Sequence, residues 1–423
     1  MMPWAEPMPD EQFDLMRRIL AAPSPIGLEG AMTHGVLEPY FRSFMPKGWA
    51  IHRFRGNAGI VLDSMPDADP KETLSVMLIG HADKIRMQVR SIGPDGKIWV
   101  NSDSFLPQTL VGHEVQLFSE NPEEPGSYRI LEGGTIEAVG AIHFAPPKLR
   151  SGGEGIKGNM LYLELQVHGE KKKAQIEALG IKPGDPILLK RPIRRGFSPD
   201  TYYGAYLDNG LGCFVTAETA RLVAEHGGFK HVRCLFGIAT HEEIGRYGSR
   251  VMARAFSPDV LIGADVSHDF KAAPGIGGRR LPPITMGAGF SLDAGSITSA
   301  QLNTLIAETA KAFEIPVQFD FGGRDTGTDA MAGVFAAIDT AATSIGFPIR
   351  NMHTISESGH TGDVLAAIHG MFHMLEAMEE RKLTADDFRG GHPRLDEVAA
   401  IEPVDPATLV DDGSDEEEDE EDE

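Results

Sequence analysis

Leu74 to Gly80 reads LSVMLIG, an unbroken apolar run closed by glycine, and His81-Ala82-Asp83 follows it at once. A run this short and this apolar reads as a buried strand, with the histidine at its carboxyl end. The arrangement recurs. Val232 to Thr240 (VRCLFGIAT) leads into His241-Glu242-Glu243, Val260 to Ala264 (VLIGA) into Asp265, and Ala341 to Ile345, through a longer loop, into His353. In open α/β sheets, sites form outside the carboxyl ends of strands, so these segments can converge on one crevice. Asp208 precedes Asn209-Gly210 and a helical stretch through Glu225, which puts it at a strand-to-helix turn. The expected fold is α/β, a mixed sheet flanked by helices.

The residues delivered this way are His81, Asp208, Glu243, Asp265 and His353. One bridging carboxylate plus two private ligands per ion gives each of two metals three protein ligands and leaves a position for water. Alone, each residue is more often a turn former or a solvated loop residue; together they point to a two-metal hydrolase. His241-Glu242-Glu243-Ile244-Gly245 lacks the second histidine of a helical HExxH zinc site. A carboxylate held on a metal is a poor proton acceptor, so the adjacent glutamates must differ in role. Glu243 is assigned to metal and Glu242 to the general base.

The same residues resemble the M42 metallo-aminopeptidases, which include tetrahedral and glutamyl aminopeptidases. The likeness rests on Ala22-Pro23-Ser24-Pro25-Ile26-Gly27-Leu28-Glu29, Gly80-His81-Ala82-Asp83, Leu207-Asp208-Asn209, Glu242-Glu243-Ile244-Gly245, Asp265-Val266, Gly327-Thr328-Asp329-Ala330 and Arg350-Asn351-Met352-His353, in that order. It implies a dinuclear-zinc exopeptidase-like fold in which Asp208 bridges both metals. His81 and Asp265 would complete one site, and Glu243 and His353 the other. Glu242 falls at the family's base, and Asp83 at an acid that supports the histidine ligand. Three departures surround the ligands without removing one: Lys84 where an acid is usual, Gly210-Leu211-Gly212 where Arg-Ala-Gly is common, and Thr354-Ile355 in place of Ser-Pro.

Three ligand carboxylates against two divalent ions leave a net positive site, which a metal-bridging hydroxide would balance. That hydroxide is the expected nucleophile. Glu242 would take the proton that metal-bound water gives up in forming it, and pass that proton to the leaving amine. Imidazole and carboxylate ligands without thiolate suit zinc, with cobalt and manganese as alternatives. Asp329 is a candidate for holding the substrate's α-amine, and His268 and Asp269 read as loop residues.

The 423 residues carry a formal charge of −23, but eleven acids fall in the last thirteen positions, from Asp411, leaving −12 for the body. Such a tail repels itself and reads as disordered. No concentrated basic surface offers itself to nucleic acid. Two cysteines, Cys213 and Cys234, lie in apolar surroundings and make no disulfide framework. The start shows no cationic segment with an apolar stretch, and no apolar run reaches the roughly eighteen residues of a membrane span. A cytoplasmic protein with no membrane partner is expected.

Residues 1–90 and 196–385 read as two parts of a catalytic domain. Residues 91–195 are a β-rich insert, with strand-like stretches at Lys97 to Val100, Glu114 to Phe118 and Met160 to Val167 and little helical periodicity. The M42 resemblance gives this insert a dimerisation role and the protein a large homo-oligomer, a dodecamer among the forms. Residues 386–423 form a C-terminal extension. Phe13, Met16, Ile19 and Leu20 trace one helical face, and Val364, Ile368, Met371, Phe372 and Leu375 another. Gly275, Gly277 and Gly278 follow no obvious strand, which disfavours a nucleotide loop. The reading is an aminopeptidase that removes N-terminal residues from peptides. The alternatives are a related metal-dependent deacylase or carboxypeptidase. A glycoside hydrolase needs two free carboxylates flanking a sugar, and here the acids are better explained as ligands. A non-enzymatic assembly protein leaves the ligand set unexplained.

Overall fold

The computed structural model describes residues 2–140, 142–275 and 281–388. The acidic tail, most of the C-terminal extension, and Gly277 and Gly278 lie outside them. The chain begins with helix α1 (Asp10–Ala21), whose Phe13, Met16, Ile19 and Leu20 are all buried. Strands β1 (Ala50–Arg53), β2 (Gly59–Asp63) and β3 (Leu74–His81) then enter the main sheet. After β3 the chain leaves that sheet for β4 (Met87–Ile92), β5 (Ile98–Asn101), β6 (Glu114–Glu120), β7 (Tyr128–Glu137), β8 (Tyr162–Glu164) and β9 (Pro186–Leu189). These six close into an antiparallel barrel in the order β4-β5-β8-β7-β6-β9.

The barrel has its own apolar interior. Ile98, Val100, Leu110, Leu163 and Ile187 are fully buried there, so the inward positions of the strands are satisfied within the barrel rather than against the main sheet. Ile176 joins them from a short helix, Lys172–Ala178, in a segment whose sequence suggested few helices.

β10 (Arg194–Arg195) and β11 (Thr201–Gly204) belong to a small third sheet, and helix α2 (Leu207–Glu225) follows. The main sheet resumes with β12 (Val232–Ala239), helix α3 (Tyr247–Phe256), β13 (Val260–His268), β14 (Phe290–Gly295), helix α4 (Ala300–Ala312), β15 (Val317–Gly323) and β16 (Ala341–Ile349). β17 (Glu357–His360) closes the small sheet against β11, and helix α5 (Thr361–Arg381) completes the order. The main sheet runs β1-β2-β12-β3-β13-β16-β14-β15. Its central strands β12, β3, β13 and β16 are parallel, and β2 and β14 run against them.

That parallel block positions the site. Register places Ala239 beside His81, and Gly263 beside Ile79, so Asp265, two residues further on, stands level with His81. β12, β3 and β13 are buried almost throughout, as strands covered on both faces require. Helix α2 packs directly over β3 and β13 because glycines let the backbones approach. A Cβ on Gly212 would collide with the Ala264 carbonyl oxygen, and one on Gly80 would come within 2.5 Å of the Gly212 backbone. Cys213 on α2 and Cys234 on β12 are buried free thiols. Among the described residues no helix is long and apolar enough to cross a membrane.

Candidate active site

The strand ends bring His81, Asp208, Glu242, Glu243, Asp265 and His353 to one cavity of about 330 Å³. His81 ends β3, Asp265 lies on β13, and the two glutamates follow β12 by three and four residues. Asp208 sits in the first turn of α2, where it and Asn209 are not helical and the peptide between them is cis. Asn209 secures that turn: its amide donates to the Ala264 carbonyl at 2.8 Å and its oxygen accepts from the Gly212 amide at 2.8 Å. Asp208 is thereby tied to the strand that carries Asp265.

Two groups of three emerge, and they share one residue. His81, Asp208 and Asp265 form the first, and Asp208, Glu243 and His353 the second, with the candidate ligand atoms of each group within 4.8 Å of one another. The shared carboxylate divides its oxygens. Oδ1 of Asp208 lies 3.3 Å from Nε2 of His81, and Oδ2 lies 3.2 Å from Nε2 of His353. Asp265 is 3.7 Å from His81, and Glu243 is 3.9 Å from His353. Ligand atoms about 2.1 Å from a tetrahedral zinc stand roughly 3.4 Å apart, so the observed separations match this donor set without large rearrangement.

The electrostatics point the same way. Burial, Asp208 and other neighbouring acids push Glu243 well above the ordinary carboxylate range, and burial with Asp208 and Glu242 does the same for Asp265, against the pull of His81. Burial opposes a charge on His81, yet Asp265, Asp208 and Asp83 together lift its pKa well above the usual histidine value. Among the described residues, Oε1 of Glu243 is buried without a hydrogen-bond partner. A pocket that crowds acids and leaves an acceptor unpaired is suited to divalent cations, which would reverse each of these shifts.

Supporting residues orient the candidates. Nδ1 of His81 is 3.2 Å from the Asp83 carbonyl and 3.4 Å from its carboxylate, which turns Nε2 toward Asp208 and Asp265. The Asp83 carboxylate also accepts the amides of Glu242 and Glu243 at 3.0 and 3.2 Å. Glu242 differs from its neighbour: Oε1 accepts from Arg246 at 3.1 Å, and burial with nearby acids pushes its carboxyl up to about 7. Glu357, which carried no sequence signal, is buried and accepts the amides of Leu207 at 2.6 Å and His353 at 2.8 Å. It joins the two loops that hold the second group.

Some sequence candidates lie elsewhere. Asp329 is buried, and the cavity is lined by its neighbours Gly327 and Thr328 instead. Asp269 caps a short helix and pairs with Arg350 at 2.7 Å, whereas His268 lines the cavity. Lys84 points away from the cavity. Its ammonium donates to the carbonyls of Leu20 at 2.7 Å and Ala22 at 2.5 Å at the end of α1, and burial pushes its pKa down to about 7.

This architecture is the dinuclear-zinc exopeptidase-like fold. A family model described as M42 glutamyl aminopeptidase matches residues 65–369, and the chain belongs to that family of hydrolytic aminopeptidases. It is 27% identical over 380 residues to a lysyl aminopeptidase of Pyrococcus furiosus, covering 88% of this chain and 99% of the relative. Among solved structures, the TET aminopeptidase of a marine sediment thaumarchaeote superposes with a TM-score of 0.75 at 21% identity, covering 90% of this chain and 99% of that one. The TET1 peptidase of Pyrococcus horikoshii, which can assemble into a tetrahedron or a large octahedral shell, gives 0.68 at 17% identity over 86% and 99%. At these identities the structural likeness speaks to the fold.

Proposed function

We propose that the protein is a dinuclear metal-dependent aminopeptidase that removes N-terminal residues from peptides. The observation that supports this most directly is the division of the Asp208 oxygens, one toward His81 and the other toward His353. His81, Asp208 and Asp265 would hold one divalent ion, zinc by preference, and Asp208, Glu243 and His353 the second. When bound, the two ions supply the Lewis acidity that activates water and polarises the scissile carbonyl.

Glu242 is the general base. It accepts a proton from the attacking water and returns one to the leaving amine as the amide C–N bond breaks, so it ends the cycle in its starting state. Arg246 keeps the Glu242 carboxylate oriented, donating to it at 3.1 Å. Asp83 is a positioning residue: it holds His81 and the peptide that carries both glutamates. The barrel of β4 to β9 is the proposed subunit-contacting module of a homo-oligomer, so replacing residues 95–190 with a short linker should give smaller particles by sedimentation.

The test is metal content combined with paired peptides. The protein should bind two zinc, cobalt or manganese ions per chain and shorten an unblocked peptide one residue at a time, while its N-acetylated twin survives. Release of C-terminal residues from both peptides would indicate a carboxypeptidase, and removal of the acetyl group alone a deacylase.

A further inference from the structure

The far wall of the cavity carries two acids that the proposed chemistry does not use. Asp293 of β14 and Asp320 of β15 are direct partners on adjacent parallel strands, and both line the cavity that holds the ligand groups. Neighbouring strands lie about 4.8 Å apart, and like charges placed directly opposite each other are destabilising. Among the described residues only His268 pulls Asp320 toward its charged form, and nothing does so for Asp293. Among the described residues no hydrogen bond or ion pair reaches the Asp293 carboxylate, and that of Asp320 accepts only the adjacent Phe321 amide, at 2.7 Å. His268, on the same wall, is held toward its neutral form by burial. Burial, with Asp320 beside it, pushes the Asp293 carboxyl up to about 7. Two facing acids, half-buried and without an ion-pair partner among the described residues, are completed by a cation that arrives with a ligand.

The geometry sets what that ligand must be. Register pairs Asp265 with Gly346 and Gly346 with Ser291, so Asp293 lies two strands across and two residues along from Asp265. Those steps put the two Cα atoms on the order of 12 Å apart. A substrate side chain must bridge what remains after both carboxylates have extended toward each other, which requires a long stem. Gly346 lines the cavity and lets the strands pack closely there: a Cβ would come within 2.5 Å of the buried Ser291 hydroxyl and 2.8 Å of Ser267. Phe270, Leu281 and Phe321 give the cavity apolar walls for methylene groups, as an amphipathic lysine or arginine stem prefers.

We propose that Asp293 and Asp320 bind the cationic end of the substrate's N-terminal side chain, making lysyl and arginyl N-termini the preferred substrates. The assignment rests on the aminopeptidase reading above. Lysyl and norleucyl coumarylamides test it, because norleucine keeps the stem and lacks only the ammonium group. Metal-reconstituted wild type should favour the lysyl substrate in kcat/KM by at least about tenfold. Asp293→Asn should cut that ratio about tenfold, and Asp293→Asn/Asp320→Asn should bring it near unity, while Asp320→Lys should shift preference toward a glutamyl substrate. Lysinamide should raise the melting temperature of wild type more than norleucinamide does, and the double variant should lose the difference. Wild type that cleaves norleucyl as well as lysyl, or a double variant with an unchanged ratio, overturns the pocket assignment and leaves the aminopeptidase reading standing. Wild type that cleaves no aminoacyl substrate with any of the three metals overturns both.

Discussion

Glu357 offers the sharpest test of how the second ligand group is held. Its buried carboxylate accepts two backbone amides, Leu207 at 2.6 Å and His353 at 2.8 Å, from the segments that carry Asp208 and His353. Glu357→Ala leaves both N–H groups unpaired, and each buried orphan costs about 1–3 kcal/mol. The fold should therefore lose about 2–6 kcal/mol, less whatever an entering water restores. Glu357→Gln keeps one acceptor and sets an NH₂ against the other amide, so it should cost about half as much. Partners that orient ligands are typically worth about 10- to 100-fold in metal affinity, and the loss should fall more heavily on the ion held by His353, since Asp208 serves both groups. Chelator competition would then resolve unequal weakening of the two sites in Glu357→Ala, with thermal melts of the metal-free protein reporting the fold separately. Wild-type affinity at both sites in the alanine variant would refute the role given to Glu357.

Other perturbations probe different levels of the molecule. Glu242→Gln should retain both metals while turnover falls about a hundredfold to ten-thousandfold, and near-normal turnover with metal fully loaded would remove Glu242 from the mechanism. Gly212→Ala should destabilise by about 1–3 kcal/mol or more, because the methyl group meets a backbone carbonyl that cannot rotate away; an unchanged melting temperature would contradict the close packing of α2 on β13. Glu38, buried and held down to about 2 by Arg53 against the cost of burial, with help from Arg42 and His34, stabilises the fold above the unfolded value near 4.5 and loses that contribution as pH falls toward 2. Glu38→Gln should lower the stability of the metal-free protein at pH 7 and flatten its acid limb between pH 4.5 and 2, as followed by denaturant titration.

Legibility followed periodicity and chemistry. The strands β3, β12 and β13 could be read because each is a short apolar run that stops abruptly at a polar residue, and both helical faces were visible in their spacing. What could not be read depends on pairing between distant segments. The closed barrel is built from short strands whose order in space, β4-β5-β8-β7-β6-β9, is not their order in sequence. The helix Lys172–Ala178 offers one buried residue, Ile176, too little to show a period. Glu357 and Asn209 act through single hydrogen bonds to remote backbone, for which the local sequence carries no pattern. Asp293 and Asp320 each resemble an ordinary polar position on a strand until register makes them neighbours.

The two adjacent glutamates show how chemistry and geometry divide the work. Sequence logic requires that one of them remain free for proton transfer, because a carboxylate spent on a cation is a weak base. It cannot show how neighbours on one peptide come to stand in different places. Asp83 does much of this, since its carboxylate accepts both their amides and so fixes the two consecutive peptide groups from which the side chains diverge. Beyond that the partners differ: Glu242 meets the Arg246 guanidinium with one oxygen and lies 3.8 Å from His81 with the other, while Glu243 comes within 3.9 Å of His353 and keeps a buried oxygen unpaired among the described residues. An unpaired buried oxygen is costly unless a cation completes it, whereas an oxygen held by arginine is already oriented. The different surroundings of the two carboxylates are what the proposed division into ligand and base requires.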